Sequence, residues 1–154
     1  MLAVQDDVGH ALTLEEAAAL LMACLKSRYR CLYLAVMSAL NTGMRYSEIR
    51  LLRWRHVDCV ARILAVGKSK SATGTGRAIP LNSRILSVLD TWAAQFPGRE
   101  LKHFVFPSEK YVVAGEEGTF GFSAGTVIYD TDPTRPIGDW KEAWEKAKNA
   151  PARF

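Results

Sequence analysis

The spacing of apolar residues changes period near residue 56, and this change limits the fold more than any other feature of the chain. Before it, apolar residues recur every three or four positions. Leu14, Ala17, Ala18, Leu21 and Leu25 make one such face, and Leu32, Tyr33, Val36, Met37 and Leu40 make the next. That is the period of an amphipathic helix. After it come two short runs, Arg62-Ile63-Leu64-Ala65-Val66 and Arg77-Ala78-Ile79-Pro80-Leu81, on either side of GKSKSATGTG. Strand-like runs flanking a stretch rich in Gly, Ser and Thr predict a β-hairpin with a basic tip. Pro80 belongs at an edge or a strand end, because it has no N–H to give a ladder. A strand around Val57–Val60 would precede the hairpin. The pattern predicts a mainly helical α+β domain with a small antiparallel sheet inserted after the third helix.

Boundary signals refine this plan. Thr13-Leu14-Glu15-Glu16 reads as a capping box for the first helix. The second helix is expected from about Ser27 to Thr42, with Gly43 ending it in the left-handed conformation. Ser47 is the expected cap of a short third helix running to about Trp54, with Ile49 and Leu52 inward. Ser83 is the expected cap of a fourth, whose face is Ile85, Leu86, Leu89, Trp92 and Ala93, and Pro97-Gly98 breaks it. Residues 109–138 are Gly-rich and weakly periodic, with YVVAG and TVIYD as strand pieces. Asp139 is placed to cap a last helix carrying Trp140, Ala143, Trp144 and Ala147 on one face, ended near Pro151. Trp54, Trp92, Trp140 and Trp144 all fall at inward positions.

The 154 residues favour one domain. No run of about 18 apolar residues suggests a membrane span, and MLAVQDDVGH lacks the pattern of a signal peptide. Cys24, Cys31 and Cys59 lack CxxC spacing. They read as reduced, mostly buried thiols of a cytosolic protein. His10, His56 and His103 lie far apart, none in a ligand motif, so no metal is expected; His56 reads as a surface or turn histidine. The net charge of +4 conceals an asymmetry: residues 26–84 carry twelve Lys or Arg against two acids, between acidic flanks. A basic middle of this kind suits a polyanion.

Two features could carry chemistry. Arg45 falls between a helix-ending Gly and a helix start, in NTGMRYSEIRLLRWRHVD. Such a turn offers backbone N–H groups and a guanidinium to one anion, and the guanidinium fork fits phosphate. Glu48, three residues on, is placed to orient Arg45. The plainer reading is a surface Arg in a turn. Lys68, Lys70 and Arg77 sit on or beside the basic loop, where a Lys could contact phosphate or protonate a leaving alkoxide; the plainer reading is an exposed loop kept soluble by its charge. Gly74-Thr75-Gly76 fits no nucleotide fingerprint.

In this order the segments resemble the catalytic domain of tyrosine recombinases, the phage integrase family. LTLEEAAALL is similar to its opening helix, TGMRYSEIRLLRWRHVD to its first signature, and GKSKSATGTGRAIPLN to its β-hairpin, with HFVFPS and DWKEAWEKA following in order. The resemblance implies that Arg45 binds the non-bridging oxygens of a scissile DNA phosphate and that Glu48 supports it. Lys70, with Lys68 as the alternative, would be the hairpin lysine that protonates the leaving 5′ oxygen. Arg77 would add a contact to the phosphate backbone of double-stranded DNA. The implied reaction, site-specific recombination and integration through a 3′-phosphotyrosyl link, needs no metal, ATP or other cofactor.

The sequence also departs from the family. No His-x-x-Arg occurs in it, and Tyr29, Tyr33, Tyr46, Tyr111 and Tyr129 all precede the position expected of the nucleophile. The expectation is a tail over residues 1–11 and a partial catalytic domain over 12–154. It would lack the C-terminal part of that domain and the N-terminal core-binding domain. Such a chain would bind DNA without cutting it, in the cytoplasm and at the nucleoid of a bacterium or as a phage product. Apolar surface uncovered at the C-terminal side would favour self-association. The alternatives are a non-catalytic module that acts on an intact recombinase, or the product of a decayed gene.

Overall fold

Caps and glycines set the element boundaries in the computed structural model, which describes residues 11–67, 74–115 and 125–149. Thr13 and Glu16 form the expected reciprocal cap: the Glu16 N–H donates to Thr13 Oγ1 at 3.2 Å and the Thr13 N–H to Glu16 Oε2 at 2.8 Å. They start α1 (Leu14–Leu25). The second helix, α2 (Cys31–Thr42), begins four residues later than Ser27. Ser27 instead takes the Tyr29 N–H on its hydroxyl, a local bond that competes with helix and keeps the segment a turn. Tyr29 therefore precedes the helix and stacks edge-on against Tyr111. Gly43 ends α2 at φ +63°, with its N–H on Ala39 O.

The third helix is shorter than predicted and starts earlier. It spans α3 (Tyr46–Arg50), with Arg45, not Ser47, as its extended N-terminal cap. Trp54 lies beyond it, in a separate 3-10 turn (Trp54–His56). A three-stranded antiparallel sheet follows, in the order β1 (Val57–Asp58), β2 (Ile63–Ala65), β3 (Ala78–Pro80). Pro80 closes edge strand β3 opposite Ile63, as its missing N–H requires. Asn82 caps α4 (Ser83–Ala93), its Oδ1 taking the Ile85 N–H at 3.0 Å, one residue before the predicted Ser83. The five inward positions predicted for α4 are all buried.

Residues 107–113 and 127–136, only weakly periodic in sequence, make the longest ladder described. It pairs β4 (Pro107–Val113) with β5 (Val127–Pro136). The last helix is α5 (Lys141–Lys148), and Asp139 Oδ1 holds the Lys141 N–H at its start.

One hydrophobic core joins these pieces: Cys24 of α1, Leu32 and Met37 of α2, Ile49 of α3, Leu64 of β2, Leu89 and Trp92 of α4, Val105 and Phe106, Trp140 just before α5, and Ala143 of α5. Trp92 donates its indole N–H to Val105 O at 2.7 Å, so α4 is tied to the 104–106 stretch while its ring stays buried. Leu40 is half exposed, at the rim of the face predicted for α2. Cys24 and Cys31 are buried and burial pushes their thiols up, to about 11 and about 12, but Cys59 is exposed. No helix among the described residues is long and apolar enough to cross a membrane.

Candidate functional site

Everything around Arg45 serves to hold a sharp turn between two helices. Gly43 supplies the left-handed conformation, Met44 is buried and pins the turn to the core, and Arg45 is extended (φ −72°, ψ 155°). Helix α3 then leaves its first N–H groups without intrahelical partners. Glu48, in its first turn, answers one of them: the Arg45 N–H donates to Glu48 Oε2 at 2.9 Å. The same carboxylate takes the Arg45 guanidinium, Nη1 to Oε1 at 3.3 Å.

Glu48 also holds a second guanidinium. Arg77, immediately before β3, reaches it with a fork: Nη2 to Oε2 at 2.9 Å and Nη1 to Oε1 at 3.3 Å. The Glu48 side chain is 0% exposed, Arg77 is 31% and Arg45 is 60%. Among the described residues, this carboxylate lies buried between two cations, with Arg45 the one turned most to solvent. A charge buried this deeply is tolerated because it is paired and hydrogen-bonded. The main chain fixes Arg77 from the other side, since Val66 donates its N–H to Arg77 O at 2.9 Å. The helix start and the base of the hairpin thus meet at one residue, Glu48.

Of the residues singled out from sequence, the structure brings together Arg45, Glu48 and Arg77. Lys68 and Lys70 lie outside the described residues. The chain that carries them departs at Gly67 and returns at Gly74, beside Arg77, and the Gly76 N–H closes this base on Val66 O at 2.7 Å. His56 stands at the same base. Its Nδ1 accepts the Arg53 N–H at 3.2 Å, and its ring lies so close to Gly67 that a Cβ there would come within 2.5 Å. Burial lowers its pKa from the ordinary value, with Arg55 and Arg53 adding to the shift. His10 is outside the described residues, and His103 is buried elsewhere, accepting the Glu100 N–H on Nδ1. No group of three or more His, Cys, Asp or Glu residues that could hold a metal occurs among the described residues.

The tyrosines have other attachments. Tyr46 packs edge-on against Trp140, and its hydroxyl faces Gly138 O and Asp139 at 3.4–3.5 Å; burial, then Asp139, raises its pKa. Tyr129 donates to Arg28 O and carries the Arg30 guanidinium over its ring at 4.0 Å. Sequence reasoning missed the grip of Arg77 on Glu48. It also missed Arg30, which joins α2 to the β4–β5 hairpin through Glu109, nearly buried, at 2.5 Å. The only hint of either was an acid, Glu48, within a basic stretch and a basic residue next to an apolar helix.

The sequence model of the phage integrase family matches residues 10–132. No curated protein sequence matches the chain. Solved structures similar in fold include two recombinases. One is the crystal structure of XerA recombinase, at 19% identity and a TM-score of 0.50, with 64% of this chain and 34% of that one covered. The other is the integrase of transposon Tn1549 in complex with transposon right end DNA, at 21% identity and a TM-score of 0.53, with 67% of this chain and 40% of that one covered. The chain thus aligns with well under half the length of either.

Proposed function

Because the chain belongs to the phage integrase family, whose members are tyrosine recombinases, we propose that its Arg45 site receives a phosphate of double-stranded DNA. The observation that carries this is the Arg45 side chain, 60% exposed yet held by a wholly buried carboxylate. A planar fork held this way meets the non-bridging oxygens of a phosphodiester in a fixed orientation. In the parent reaction, site-specific DNA recombination and integration, it would stabilise the charge that develops on those oxygens. Glu48 supports it. Lys70, or Lys68, supplies the proton for the leaving 5′ oxygen, and the cations between residues 26 and 84 other than Arg30 and Arg77 position the backbone without reading sequence.

The chain itself binds and does not cut. Its 154 residues contain no His-x-x-Arg, and Tyr46 and Tyr129 have their hydroxyls turned to main-chain carbonyls. A suicide DNA substrate should therefore yield no denaturant-resistant adduct, and an adduct would sink this half of the reading. Binding to duplex DNA of arbitrary sequence should weaken with salt, each phosphate contact adding about −0.9 to the log–log slope. Arg45→Ala should make that slope shallower by about 0.9 while the fold persists. An unchanged slope would refute the phosphate assignment.

A second reading keeps the DNA contact but drops the chemistry: a module that associates with itself or with an intact recombinase. The feature that favours it is an apolar cleft of about 240 Å³ between α2, α3 and α5, walled by Val36, Ile49, Trp140 and Trp144. Mixing the chain with a full-length relative separates the two readings, since a partner module changes the recombination rate at concentrations too low to occupy the DNA.

A further inference from the structure

The carboxylate that orients Arg45 is also its chief competitor. A buried Glu facing one Arg would take that guanidinium by the fork, in the two-bond geometry that carboxylates prefer. Here it does not. The fork on Glu48 belongs to Arg77, with bonds of 2.9 and 3.3 Å to the two oxygens. Arg45 gives Glu48 its backbone N–H at 2.9 Å and a single guanidinium bond at 3.3 Å, the long end of the range. The exposures agree: Arg77 is 31% exposed, Arg45 60%. Arg77 neutralises the buried charge, and Arg45 keeps most of its donors turned outward.

We propose that Arg77 is a positioning residue: it occupies Glu48 so that the Arg45 guanidinium stays free for phosphate, and it grips no phosphate itself. This rests on the reading of Arg45 as the phosphate-binding residue. Without Arg77, Glu48 would draw the Arg45 fork inward, and the anion site would close on an internal ion pair. The hairpin base thereby governs the helix-cap site from 29 residues away in sequence.

A double-mutant cycle decides the matter, read as affinity and salt slope on duplex DNA of arbitrary sequence, with circular dichroism to verify folding. Arg77→Gln should weaken DNA binding as much as Arg45→Ala does. In a Glu48→Gln background, where no carboxylate competes for Arg45, Arg77→Gln should change affinity by no more than about twofold, the ordinary scatter of independent sites, and should leave the salt slope unchanged. A phosphate contact by Arg77 predicts the opposite: the same loss in both backgrounds, and a slope shallower by about 0.9 in each. That result, or no effect of Arg77→Gln in the wild-type background, overturns the proposal. Should Arg77→Gln alone fail to fold because Glu48 loses the Arg77 fork, the comparison within the Glu48→Gln background, where position 48 carries no charge, decides by itself. If Arg45→Ala changes nothing, the phosphate reading fails, an outcome distinct from equal losses at Arg77.

Discussion

Arg45 does two jobs at one position: its backbone begins a helix and its side chain faces solvent beside a buried acid. The pairing with Glu48 was legible in sequence, because residues three apart at a helix start are neighbours whatever the rest of the chain does. The pairing with Arg77 was not, since it depends on how a hairpin packs against a helix. His56 is similar. Its place in a turn could be read from sequence, but its contact with Gly67 could not. That contact predicts that Gly67→Ala costs about 1–3 kcal/mol, as an overpacked site does. Trimming the ring with His56→Ala should recover part of the loss in urea unfolding. The lowered pKa of His56 sets a sign as well. The unfolded chain takes up a proton near the ordinary value of 6.5 that the folded chain resists. The contribution of His56 to stability is therefore complete above that value and is lost as pH falls through the lower folded one. A His56→Gln variant should show a flatter stability–pH curve below about pH 6.5 than the wild type.

Elements were legible where one face is buried and the other is not. Helix α4 is such a case, and its inward residues match the sequence pattern position by position. Only its cap was misplaced, because Asn82 and Ser83 both suit the role and the choice depends on local geometry. The structure makes this testable: Asn82→Ala should cost about 1 kcal/mol in denaturant unfolding, and Ser83→Ala only a few tenths. The β4–β5 hairpin is the opposite case. Most of β5 is half-buried along its whole length, with no clean alternation, so no period of two marks it in the sequence. What anchors it is polar. Arg30 forks onto Glu109, stacks on Tyr129 and reaches Gln95. Arg30→Met should loosen the hairpin, and adding Glu109→Leu should restore much of the loss, since a stranded buried acid is worse than an apolar pair. Further destabilisation in the double variant would show that the ion pair is the stronger arrangement.

At the scale of the molecule, two cations of the basic middle, Arg45 and Arg77, are carried to one corner where a helix begins and a sheet folds back. The core behind that corner draws on all five helices. Unfolding should therefore be a single transition, with tryptophan fluorescence and far-ultraviolet circular dichroism losing signal together, because Trp54, Trp92 and Trp140 all sit in that core. Two separated transitions would mean that the β4–β5 hairpin or α5 melts on its own. The cap bond from the Arg45 amide to Glu48 has one more consequence. Binding at the guanidinium and closure of this backbone bond share a carboxylate, so each must bias the other. The Arg45 amide should then exchange its hydrogen at a different rate when DNA is present. A single backbone proton would act as a gauge of the site, reporting occupancy from inside the fold without a label on the ligand.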